Sequence, residues 1–137
     1  MGGADDVRPA NRGESRTYLV KAQEFLATAD AAVLNKRWNS AGLAAIHAGI
    51  GAADAAIVAS AGVRSASKDH GAAVGLLRRL VAESGAAQER QLNGLLSMQN
   101  TVEYEQRLAT ESEARALVEQ AGRLVRWSAD VVASHLD

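Results

Sequence analysis

Apolar positions recur at helical spacing along almost the whole chain. From about Glu14 to Asn35, Leu19, Ala22, Leu26, Ala29 and Val33 follow one another at intervals of three and four, and Tyr18 and Phe25 widen the stripe, so an amphipathic helix is predicted. A second helix is predicted from Ser40, with Asn39 and Ser40 as N-cap residues, to Gly62 as C-cap. Three stripes run along it: Leu43, Ile46, Ile50, Ala53 and Ile57; Gly42, Ala45, Gly49, Ala52 and Ala56; Ala41, Ala44, Ala48, Gly51 and Ala55. A helix apolar or small nearly all round is expected to be buried on most sides. Each interior glycine costs about 1 kcal/mol relative to alanine, which close approach by a neighbouring helix would offset.

Val63 to Lys68 reads as a connector. Ser67 or Asp69 is placed to cap a third helix reaching about Glu83, with Val74, Leu77 and Val81 on one stripe. A fourth helix is predicted from about Ala86 to Leu108, carrying Leu92, Leu95, Leu96 and Val102. Thr110-Glu-Ser-Glu113 matches a capping box, so a fifth helix begins there. Short connectors favour antiparallel packing of successive helices. The expected fold is therefore all-α, an up-and-down bundle of four to five helices over residues 14–137, preceded by a flexible polar arm over residues 1–13.

Composition agrees. Alanine makes up about a fifth of the 137 residues, the one proline is Pro9, and β-branched and aromatic residues are few. The absence of cysteine rules out disulfides, a thiolate nucleophile and cysteine-ligated metal, and fits a cytoplasmic location. A formal net charge of −1 lacks the basic excess of a protein that neutralises many phosphates, so specific duplex-DNA binding is not expected. No metal or cofactor is implied. The second helix is mostly alanine and carries Asp54 near its middle, which argues against a membrane span.

Three groups of residues are candidates for function. His47 and Asp54 are the ionisable residues of the second helix, on one face about 10 Å apart along its axis. Too far apart to pair with each other, they are either inter-helix hydrogen-bonding groups or ligand contacts, each needing a partner from another helix or subunit. Arg64 and His70 lie in the connector ahead of the third helix; such a pair can cleave RNA without metal, the histidine moving a proton and the arginine stabilising the phosphorane, or can be a solvated arginine with Asp69 or His70 helping to cap that helix. Asn100, Glu103, Tyr104 and Arg107 have the spacing of neighbours on one helix face, either a solvated face or a binding surface. His135 reads as terminal surface.

The succession YLVKAQEFLATADAAVLNKRWNSAGLAAIHAGIGAADAAI, then KDHGAAVGLL, then LNGLLSMQNTVEYE resembles the HEPN superfamily, in particular its small single-domain actinobacterial members, over about Tyr18 to Val132. The resemblance implies a helical bundle that forms homodimers, with RNA, a nucleotide or a partner protein as ligand and a toxin–antitoxin or defence setting. In that family an arginine followed four to six residues later by histidine forms the ribonuclease site. The matching stretch here is Ser97 to Glu105, where Gln99 or Asn100 stands near the arginine position and Tyr104 at the histidine. The resemblance thus implies a binding or regulatory module without the usual ribonuclease activity. The alternatives are a metal-independent endoribonuclease using Arg64 and His70, or an unconventional site around Asn100, Tyr104 and Arg107, and a purely structural interaction module.

Overall fold

The computed structural model describes residues 7–67, 69 and 71–136. The fold is an all-α bundle with one small β-ribbon. Its helices are α1 (Ser15–Leu34), α2 (Trp38–Ala61), α3 (Ala72–Leu80), α4 (Ala86–Ser97), α5 (Gln99–Glu103) and α6 (Glu111–Leu136).

The small residues of α2 put it at the centre. Fourteen of its residues are buried, and α1, α4 and α6 pack around it. At one end of the bundle Ala32 of α1 meets Ala41 of α2 and Ala114 of α6; at the other, Tyr18 and Leu19 meet Ala55, Ala59 and Val132. So α1 runs antiparallel to α2, while α2 and α6 run parallel. In the seam between them Gly42 faces Leu117 and Gly49 faces Leu124, one heptad further along both helices. Leu95 of α4 also presses on Gly49 and Val102 of α5 on Gly42, so the α4–α5 arm runs antiparallel to α2. The chain thus goes up, down, up and down, with α3 in the crossover.

Close approach is what the glycines permit. A β-carbon at Gly49 would overlap Leu95 Cδ1, and one at Gly51 would lie 3.2 Å from Ala22 Cβ and 3.5 Å from its Cα. A buried polar contact crosses the seam: the Ser128 hydroxyl donates to the Ala52 carbonyl at 2.7 Å. Among the described residues α2 is the one helix long and apolar enough to cross a membrane, but 72% of its most apolar window is buried inside the bundle, as befits a core helix.

Several boundaries differ from the sequence expectation. Part of the arm predicted as flexible is ordered: strand β1 (Val7–Pro9) pairs antiparallel with β2 (Val63–Ser65), which lies in the expected connector, and a 3-10 turn follows at Arg12–Glu14. Val7 and Val63 pack on the core, and that burial, which is not local in sequence, makes the ribbon. Asn39 is not an N-cap, since α2 begins at Trp38. The turn from α1 into α2 is a Schellman motif, with Arg37 N–H on Ala32 O and Lys36 N–H on Val33 O, and places Lys36 at φ 58°, where glycine is the usual choice. Neither Ser67 nor Asp69 caps α3: the Asp69 carboxylate accepts from Gly71 N–H at 2.9 Å, just outside the helix. Val81 turns extended to bury its side chain, which stops α3 before Glu83.

The fourth predicted helix breaks at Met98 and ends at Glu103, five residues short of Leu108. The capping box does form, Thr110 N–H to Glu113 Oε1 at 2.9 Å and Glu113 N–H to Thr110 Oγ1 at 3.1 Å. Gly62, at φ 66°, closes α2 as expected.

Candidate functional site

The break between α4 and α5 shapes the surface. Beyond it, α5 turns Glu103 toward the middle of α2, where His47 is the half-exposed residue of an otherwise buried stretch. His47 Nε2 lies 3.7 Å from Glu103 Oε1, with side-chain exposures of 40% and 19%. The imidazole stacks on Phe25 of α1, ring centroids 5.3 Å apart at 28°. His47 is therefore partnered from two other helices, as its position in α2 required. Asp54, one heptad on, is half-buried and also engaged.

Glu103 is the hub. Gln99 Nε2 donates to Glu103 Oε1 at 3.5 Å, and the Tyr104 hydroxyl donates to the Glu103 carboxylate. That hydrogen bond, with the nearby negative charge, holds the phenol above its usual value of 10.0. The Tyr104 ring itself is 74% exposed. His47, Asp69, Leu96, Gln99, Asn100, Glu103 and Tyr104 line one groove of about 580 Å³. An adjoining hollow of about 330 Å³ shares Asp69, Leu96 and Gln99 and extends it to Gly71, Asn93 and Ser97.

Arg107 departs from the sequence expectation. Because the helix ends at Glu103, Asn100, Glu103, Tyr104 and Arg107 do not share a helix face. Arg107 lies in the following loop and turns toward α6, its two terminal nitrogens each 2.9 Å from a different oxygen of Glu113. Glu105 is 3.7 Å from Arg107 Nε and also receives Asn100 Nδ2 at 3.4 Å. The Arg107 hydrogen bond, with the Thr110 amide, lowers Glu113 from 4.5 to about 2.

Asn39 supplies what the loop lacks in packing. Its Nδ2 donates to Val102 O at 3.0 Å and its Oδ1 accepts from Ala109 N–H at 3.1 Å, so one side chain holds both ends of the segment carrying Glu103, Tyr104 and Arg107. Nothing in the sequence near Asn39 signals this, because its partners lie 63 and 70 positions away. Asp69 and Leu96 were likewise not legible as groove residues, because contributing a wall depends on tertiary packing and not on local pattern, whereas Gln99 lies in the stretch that the family resemblance singled out.

The second candidate pair is not assembled at this groove. Arg64 is exposed on β2, opposite Arg8, and is not among the groove residues; His70 lies outside the described residues. His135 does more than cover surface: Nε2 is 2.9 Å from Glu83 Oε2 and 3.4 Å from Ser60 Oγ, tying the end of α6 to the α3–α4 turn and to α2.

Chemically, the described side chains of the groove offer two carboxylates, an imidazole, a phenol and side-chain amides. The Ser97 hydroxyl in the adjoining hollow donates to Gly94 O at 2.9 Å. No group of three or more metal-ligating side chains occurs among the described residues. No protein-family model, curated protein or solved structure matches the chain.

Proposed function

We propose that this chain is a HEPN-like homodimeric module of the cytoplasm that works by binding polypeptide, not by cleaving RNA, in a toxin–antitoxin or defence setting, with the His47–Glu103–Tyr104 groove as its contact face. The carrying observation is the balance of charge in the groove. Its described side chains include the carboxylates of Asp69 and Glu103 and no arginine or lysine, and the nearest loop arginine, Arg107, is held by Glu113. A phosphate backbone entering here meets carboxylates, and among the described groove side chains metal-free cleavage finds no arginine or lysine for the phosphorane charge. The surroundings suit protein instead: Tyr104 of the groove and Leu108 of the loop beyond it are 74% and 75% exposed, and Phe25 lies beside His47. Large exposed tyrosine and leucine side chains next to satisfied polar groups are the usual makings of a protein interface.

Multi-angle light scattering on the purified chain at micromolar concentration is expected to give the dimer mass, and Tyr104→Asp to shift it to monomer. A monomeric wild type would overturn the homodimer. The ratio of absorbance at 260 to 280 nm is expected to show no co-purified nucleic acid, and labelled RNA to survive incubation in EDTA. Cleavage in EDTA lost in His70→Ala would establish the ribonuclease alternative, and cleavage lost only in Tyr104→Phe would place catalysis in the groove.

A further inference from the structure

The β-ribbon at the far end of α2 gathers positive charge on one face. In the register Arg8 stands directly opposite Arg64, and Ala10 N–H donates to Gly62 O at 2.9 Å, extending the ladder by one pair. Residues directly opposite in an antiparallel pair project from the same face, and so do residues two apart on one strand. Arg8, Ala10, Gly62 and Arg64 therefore share a face, while Val7 and Val63 on the other pack against the core. Arg12 completes the set. A β-carbon built on Gly62 would lie 3.5 Å from Arg12 Nε and 3.6 Å from its Cγ, so the Arg12 side chain lies over Gly62 on that face. The result is a cradle with two arginines at one end, a third at the other, and a floor of Ala10 and Gly62 with almost no side chain.

Like charges directly opposite one another across a ribbon are destabilising. Among the described residues no carboxylate lies within ion-pair distance of Arg8, Arg12 or Arg64, whereas Arg78, Arg107, Arg115 and Arg123 each hold a glutamate. Glu14, the closest acid in the adjoining turn, accepts from Asn11 N–H at 2.8 Å as part of a capping box. Arg8 makes one hydrogen bond, to Val7 O at 3.2 Å. Three exposed guanidinium groups with free N–H donors around a small-residue floor are built to receive a compact anion with several oxygens.

We infer that the Arg8–Arg12–Arg64 cradle is an anion site that takes a diphosphate group, free or carried by a nucleotide. The charge argues for this class, since three arginines oppose two to three negative charges in one small group, more than a single phosphodiester carries. The site is separate from the groove: Gly62 and His47 are about 22 Å apart along α2.

The test is calorimetric titration of the full chain at low ionic strength with sodium pyrophosphate and, separately, with adenosine diphosphate. Saturable binding of pyrophosphate is expected, weakened about tenfold by Arg64→Gln or Arg8→Gln and severalfold by Arg12→Lys, which keeps the charge but loses the fork. Arg126→Gln, at an exposed position of α6, should leave the affinity unchanged. Equal affinity for the two probes identifies the bare diphosphate as what is read; tenfold tighter binding of the nucleotide identifies a nucleoside diphosphate. Without ligand, Arg8→Gln is expected to melt at or above the wild-type temperature, because a like-charge contact is removed, so lost binding is not lost fold. No saturation by pyrophosphate, wild-type affinity in the Arg8→Gln/Arg64→Gln double variant, or an equal loss in Arg126→Gln would each overturn the site.

Discussion

The seam between α2 and α6 and the loop from Tyr104 to Thr110 are held by different forces. In the seam Gly49 lets Leu95 and Leu124 reach the α2 backbone, and Ser128 supplies a buried polar contact that crosses it. In the loop Tyr104 and Leu108 are three-quarters exposed, and the shape rests on hydrogen bonds from Asn39 and on the Arg107–Glu113 pair. Steric fit distributes the constraint over many atoms, so the seam is rigid and closed to chemistry. Directional polar contacts hold a few points and leave side chains exposed between them, so the loop can present Tyr104 and its neighbours to a ligand.

Gly49→Leu breaks the comparison on the seam side. The added side chain must displace two buried leucines, so a loss of about 3 kcal/mol or more is expected in denaturant unfolding, enough to unfold much of a marginally stable domain. Wild-type stability in this variant would mean that the seam is not close-packed. On the loop side, Asn39→Ala removes both latching hydrogen bonds and should cost about 2 kcal/mol. Hydrogen exchange should rise chiefly over Glu103 to Ala109, and a uniform rise across all helices would show that the loop is not separately latched. Ser128→Ala sharpens the seam's side: one buried hydrogen bond is lost at a helix carbonyl already bonded within α2, so about 1 kcal/mol is expected in the same unfolding assay.

The smallest effect concerns pH. Glu113 is held at about 2 by Arg107 and the Thr110 amide, below its ordinary 4.5. A lowered carboxyl stabilises the fold above the unfolded value, and the contribution disappears as pH falls from 4.5 toward about 2. Carbon-13 titration should find Glu113 moved up toward 4.5 in Arg107→Gln; an unmoved titration would assign the shift to the capping box alone.

Much of the bundle was legible in the sequence, and the reason is local. Apolar residues three and four apart specify a helix whatever it packs against, so α1, α2 and α6 lie within a few residues of the periodic pattern. The Thr110–Glu113 box and Gly62 are written in residues that satisfy their own backbone. The nearly uncharged, glycine-bearing stretch of α2 had to be enclosed, and His47 within it had to find a partner.

The identity of those partners came only with tertiary structure. That Glu103 faces His47 depends on the chain breaking at Met98, and the end of α5 depends on Asn39 capturing Val102 and Ala109 from a distant helix. Periodicity continues through Leu108 because it records which side chains are apolar, not whether the backbone has a better partner elsewhere. The β-ribbon is the same case: three residues on each side carry too little pattern to read, and burial of Val7 and Val63 against the finished core decides it. Local propensity acts over one or two turns of helix. The groove, the latch and the arginine cradle join residues tens of positions apart, which packing alone brings together.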